Sequence, residues 1–141
     1  MNTKITAKCI VFNGDGNVLL LRRSGTDEAR AGEWDFPGGG VELHEDVLAA
    51  VSREIAEETN LEVNSRDIYL TYTDTRLQYD LNNIRLVYYC RIQAQEIRLS
   101  FEHSEYIWVT PAEALQKFPH PVYGEGLRRG LTLGLFNSAV S

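Results

Sequence analysis

Several things are scarce in this chain, and each scarcity removes a class of explanation. Cysteine occurs twice in 141 residues, as Cys9 and Cys90, each inside an apolar run. Two such thiols supply neither a disulfide framework nor a zinc signature, and they fit a reducing compartment. The histidines form no cluster with cysteine that would hold zinc, and His44 and His103 are expected at the surface. No window approaches 18 consecutive apolar residues, and the opening MNTKITAK has no apolar h-region. Neither a membrane span nor a secretory signal is therefore expected, and a cytoplasmic location is. Basic residues are also short, 14 against 20 acidic, for a net charge of −6. A nucleic acid polymer needs a basic face to displace its counterions, so that partner is not expected. Linkers, repeats and low-complexity tracts are missing as well, and residues 1–141 are expected to form a single domain.

What remains is a run of short elements. Residues 5–12 are β-prone, Asn13-Gly14-Asp15-Gly16-Asn17 is a turn, and residues 18–21 resume as a strand, which together predict a hairpin. Residues 24–33 are polar and read as an exposed loop, and in WDFPGGGV, Pro37 and three glycines forbid a helix. From Asp46, a plausible N-cap, Val47, Leu48, Val51 and Ile55 recur at helical spacing. Further strands are expected at 68–73, 84–92 and 106–109, a short helix opened by Pro111 at 111–117, and a helical tail over 123–136 interrupted by Gly130 and Gly134. Strands on both sides of one central helix predict an α/β fold with a mixed sheet and helices on its faces.

The helix carries an awkward charge pattern in REIAEETN. Glu54, Glu57 and Glu58 stand at i, i+3 and i+4, where like charges cost a few tenths of a kcal/mol per pair, roughly. They fill a wedge of roughly 100° bordering the apolar stripe, which leaves room for something small and positive. Upstream, Pro37-Gly38-Gly39-Gly40 can bring bare backbone close to a ligand. Carboxylates with a backbone carbonyl suit a hard cation such as magnesium or manganese.

The stretch from Gly39 to Leu61 resembles the Nudix box. Gly39 is followed after five residues by Glu45, and after seven more by Arg53-Glu54-Ile55-Ala56-Glu57-Glu58-Thr59, with Leu61 closing the pattern. One position departs: the family's late glycine is Asn60. That glycine ends the helix, a place that often needs a left-handed residue, and asparagine accepts that conformation best after glycine. Asn60 is therefore expected to be a left-handed C-cap.

The resemblance implies a Nudix α/β/α sandwich with helices on both faces of a mixed sheet. It also implies Mg²⁺- or Mn²⁺-dependent hydrolysis of a phosphoanhydride in a small nucleoside diphosphate-linked substrate. Carried over by position, Glu54, Glu57 and Glu58 with the Gly38 carbonyl look like metal ligands. Arg53 looks like the residue that orients the glutamates, and Glu45 like its support behind them. The general base implied is Glu57 or another box glutamate, or one beyond the box, for which Glu105 and then Glu102 are candidates. Arg22 and Arg23 could meet phosphate, with strand alternation pointing only one inward. Trp34, Phe36 and Tyr79 could stack on a base. ADP-ribose-type relatives carry a proline where this chain has Arg76. The compact length looks most like MutT-type nucleoside-triphosphate pyrophosphohydrolases, which release a monophosphate and pyrophosphate. A nucleotide sugar or dinucleoside polyphosphate is the alternative substrate, and a non-catalytic nucleotide sensor the alternative role. Many relatives are homodimers, although no exposed apolar stripe here marks a subunit interface.

Overall fold

The computed structural model describes residues 2–25, 30–118 and 121–136. Its elements run β1 (Asn2–Phe12), β2 (Val18–Arg23), β3 (Trp34–Asp35), β4 (Gly38–Gly40), α1 (Val47–Thr59), β5 (Tyr69–Gln78), β6 (Leu81–Arg91), β7 (His103–Val109), α2 (Pro111–Lys117) and α3 (Pro121–Thr132), with a 3₁₀ turn at Ser65–Asp67. The polar loop expected at 24–33 lies partly outside the described residues.

β1 organises the molecule. It pairs in parallel with β6 along its whole length, while β4 pairs antiparallel with it at Thr6–Lys8. β5 adds antiparallel to the far side of β6, so the sheet is mixed. From Ala7 to Phe12 every residue of β1 is buried, so both faces of the strand are covered. Alternation then divides the core. Ala7, Cys9 and Val11 face Val51 and Ile55 of α1. Ile10 and Phe12 face Ala114 of α2, Phe118, and Val122, Tyr123 and Leu127 of α3. A sheet between helices is the α/β sandwich expected.

The hairpin expectation needs correction. β1 and β2 pair only at Phe12↔Val18. The turn itself forms, with the Asn13 side chain accepting from the backbone N–H of Asp15 and Asn17 at 3.0 and 2.9 Å. One edge of β1 is already taken by β6 and the other by β4, so β2 departs and pairs with β7 and β3 instead.

α1 forms between the caps its sequence announces. The Asp46 side chain accepts from Ala49 N–H, and Asn60 sits at φ 68°, ψ 8°, its N–H donating to Ala56 O. The left-handed C-cap is thus observed where the sequence predicts it. The tail helix ends earlier than expected, at Thr132, and Gly134 turns at φ 68°. Gly130 is required inside α3 because a Cβ there would lie 2.0 Å from the Phe136 ring as the chain folds back. β5 and β6 run further than expected, to Gln78 and from Leu81, through polar residues that weaken their strand signal.

Candidate active site

A cavity of about 670 Å³ opens where β4, the N-terminal half of β1 and α1 meet β5, β6 and the start of β7. Gly38, Gly39, Glu54, Glu57, Glu58, Arg23, Lys8, Glu102 and His103 are among the residues lining it. The close fit of β4 requires glycine at its first position and leaves little room at its second. Gly38 has φ +140°, and a Cβ there would lie 2.2 Å from Ala7 O; a Cβ on Gly39 would meet the Glu54 carboxyl carbon at 2.9 Å.

The three box glutamates sit in different environments. Glu58 is 4% exposed, and its Oε1 accepts from Gly38 N–H at 2.7 Å. Burial pushes its pKa up, opposed by Lys8 and the Gly38 N–H and reinforced by Glu54 and Asp35, to about 8. Burial also raises Glu54, with Arg53 pulling the other way. Glu57 stands at the mouth, its side chain 59% exposed. Arg53 gathers the group: it donates to Glu45 at 2.6 and 3.0 Å, to Glu54 at 3.1 Å, and to Glu57 at 3.2 and 3.3 Å. The bidentate grip of Glu45 fixes the guanidinium plane, and through it the two glutamates. Those hydrogen bonds hold Glu45 below the usual carboxylate range.

Sequence reasoning missed a second, buried ionic group beneath the glycines. Lys8 Nζ donates to Asp35 Oδ2 at 3.0 Å and to Gly38 O at 3.2 Å. Arg23 Nη1 meets the same Asp35 oxygen at 3.0 Å, and Arg30 Nη1 lies 3.8 Å from it. Burial works against both charges, yet Lys8, Arg30 and Arg23 hold Asp35 low, and Asp35, with Glu58, holds Lys8 high. The one available signal was a lysine at a core-facing position of an otherwise apolar strand. His103, expected at the surface, is instead 6% exposed, with Nε2 3.5 Å from Glu58 Oε2. The strand β7 begins there rather than at Tyr106, which turns the ring inward.

Other candidates lie elsewhere. Of the two strand-end arginines, Arg23 lines the cavity and Arg22 does not. Arg22 donates to Gly32 O and reaches Glu105 across the β2–β7 ladder at 3.5 Å. That pairing holds Glu105, half-exposed, outside the cavity. Trp34 packs under the Arg22 guanidinium and the Lys117 ammonium, at 5.7 and 5.9 Å from its ring centroid. Phe36 cannot stack on a base: it is fully buried against Phe118, ring centroids 4.4 Å apart. Tyr79 projects into solvent at φ 50° from the β5–β6 turn, away from the cavity. The aromatic residues that do line the cavity are Phe101 at its rim and the buried Tyr123.

Among the described residues no three acidic, histidine or cysteine groups already converge as a metal site; Arg53 stands between Glu54 and Glu57 instead. The donors nonetheless suit a hard divalent cation. Carboxylate and carbonyl oxygens surround the Gly38–Gly39 step, and burial pushes Glu54 and Glu58 toward the protonated form against the pull of Arg53 and Lys8, a balance that a bound cation would reverse.

The NUDIX domain family model matches residues 2–129. A MutT-like protein of Streptomyces ambofaciens is 32% identical over 108 residues, 77% of this chain and 64% of that protein. Nucleoside triphosphatase NudI of Salmonella arizonae is 31% identical over 118 residues, 77% of this chain and 83% of that protein. The crystal structure of the MutT protein from Methanosarcina mazei superposes with a TM-score of 0.80 at 27% identity, covering 94% of this chain and 96% of that one. The chain belongs to the Nudix family of hydrolases.

Proposed function

We propose that this Nudix hydrolase is a divalent-cation-dependent pyrophosphohydrolase that prefers a nucleoside triphosphate, releasing the monophosphate and pyrophosphate. The observation that carries the reading is Glu58, buried, clamped by Gly38 N–H and pushed to a pKa of about 8 beside Glu54. Such a carboxylate is costly to ionise alone and useful only next to a cation. Similarity to a nucleoside triphosphatase, NudI, supports the substrate class.

Glu54, Glu57 and Glu58, with the Gly38 carbonyl, would hold Mg²⁺ or Mn²⁺. Bound there, the ion would neutralise phosphoryl oxygens and lower the pKa of water. Arg53, braced by Glu45, holds Glu54 and Glu57 in place. Glu57, the most exposed of the three, is the general base that takes a proton from the attacking water; Glu105 lies too far aside for that role. Arg23 and Lys8 present positive charge to the phosphates, and Asp35 keeps both in position. The substrate is small and its charges are met inside the cavity, so an overall charge of −6 is no obstacle.

The test is a nucleotide panel with magnesium, following phosphate, pyrophosphate and monophosphate release, run on the wild type and on Glu57→Gln, Glu58→Gln and Glu105→Gln. Triphosphates should be the best substrates. Glu57→Gln and Glu58→Gln should each lose on the order of 10³-fold in kcat/KM, while Glu105→Gln stays near wild type. A Glu58→Gln enzyme with near wild-type turnover would refute the assignment.

A further inference from the structure

The cavity floor is a strip of sheet, and its far end is unlike its glutamate end. Register places Gly38, Lys8 and Val87 side by side in one row, then Gly40, Thr6, Arg85 and Asp74, then Lys4, Asn83 and Arg76. Residues in register share a face, so these rows lie across the same floor. From Lys8 to Lys4 is four residues, about 13 Å along the strand.

The cations along this floor differ in what they already hold. Lys8 is tied to Asp35, and Arg85 makes two 2.9 Å hydrogen bonds to Asp74. Lys4 and Arg76 meet no carboxylate among the described residues, although both line the cavity. Between them, Asn83 carries a buried carboxamide oxygen with no hydrogen-bond donor. Of the three, only the buried Asn83 oxygen is costly to leave unmatched; Lys4 and Arg76 are exposed and solvated, and leave two cations facing the cavity with no carboxylate partner among the described residues. An anion carrying a neighbouring hydroxyl fits all three. The aromatic lining residues, Phe101 and Tyr123, belong to the loop before β7 and to α3, not to this row.

We infer that Lys4, Asn83 and Arg76 form a second anion subsite, taking a phosphate on the substrate's sugar remote from the bond that is cleaved. Lys4 and Arg76 donate to the phosphate, and the adjacent sugar hydroxyl donates to Asn83 Oδ1 once that side chain turns its oxygen out toward the cavity. This deepens the proposed hydrolase reading and rests on it for the direction in which the nucleotide lies. Substrates with a second, ribose-borne phosphate are therefore favoured over those without it. Charge-assisted hydrogen bonds of this kind are strong enough to discriminate between the two.

The test compares adenosine 3′,5′-bisphosphate with adenosine 5′-monophosphate by titration calorimetry in magnesium, on the wild type and on the Lys4→Ala/Arg76→Ala double variant. Both side chains are exposed, so the variant should fold, which its circular dichroism checks. The wild type should bind the bisphosphate at least about tenfold more tightly, and the double variant should bind both alike. Equal affinities in the wild type, or a bisphosphate advantage that survives in the variant, would overturn the subsite. Equal weakening of both ligands would mean that the two cations hold a group common to both, and would overturn it too. The hydrolase reading fails separately: a wild type that hydrolyses no triphosphate yet keeps its bisphosphate preference loses the proposed reaction and keeps the subsite.

Discussion

Lys8 and Cys9 are neighbours in the chain and opposites in surroundings. Both are buried on β1, at 5% and 0% exposure, and strand alternation sends them to opposite faces of the sheet. Lys8 enters an ionic cluster with Asp35, Arg23 and Arg30 under the cavity. Cys9 faces α1 among aliphatic residues, with its Sγ 3.6 Å from that of Cys90. Burial, and then the Cys90 thiol beside it, push Cys9 well above the ordinary thiol range, which makes it an inert packing residue. The face of Cys9 is thus apolar along the buried stretch, whereas the face of Lys8 is apolar at Ile10 and Phe12 and turns ionic only at Lys8. There it accepts the desolvation of charges, a cost of several kcal/mol per ion, roughly, where the strand borders the candidate site.

The comparison is most easily broken at Asp35. Asp35→Ala leaves Lys8 buried, and Arg23 half-buried, without their shared carboxylate and should destabilise the protein by about 3–5 kcal/mol in chemical denaturation. A loss below about 1 kcal/mol would mean that the cluster is solvated in solution.

A smaller effect, of the order of a few kcal/mol, should follow from Glu58 in metal-free protein. Its folded pKa of about 8 stands above the ordinary value of 4.5. Protonation therefore favours the folded state: the contribution is full below 4.5 and is lost as pH rises through about 8. Asp35 has the opposite sign. Its lowered pKa gives stability that is present at neutral pH and lost only in acid, outside this window. With EDTA present, Tm should fall between pH 6 and pH 8.5, and Glu58→Gln should flatten that slope. A slope unchanged in Glu58→Gln would assign it to another group.

The smallest effect belongs to the face of Cys9. Cys9→Ala should cost about 1 kcal/mol in denaturation and leave kcat/KM unchanged. A loss of activity without loss of stability would show that the two faces are not separate.

Legibility in the sequence followed the same division. α1 could be read residue by residue, because its caps, its apolar stripe and its acidic wedge are all local in the chain, and Asn60 at φ 68° shows how much a single terminal residue can convey. The β1–β2 hairpin misled because edge occupancy is a property of the whole sheet and not of the turn. Lys8, Asp35 and His103 come from three separate strands, and nothing in the spacing of residues 8, 35 and 103 announces that they approach one cavity. Aromatics near the glycines were read as stacking candidates, yet Phe36 was claimed by Phe118 once α2 and α3 closed over the sheet. The polar ends of β5 and β6, which blur their strand pattern, are the floor of that cavity.

The central claim is that the glutamate end of the cavity binds a divalent cation. Mn²⁺ binding followed by electron paramagnetic resonance tests it without any substrate. The wild type should bind Mn²⁺, Glu58→Gln and Glu54→Gln should each weaken that binding at least about tenfold, and Lys4→Ala/Arg76→Ala should leave it unchanged. Binding that is equally tight in Glu58→Gln and the wild type would contradict the account.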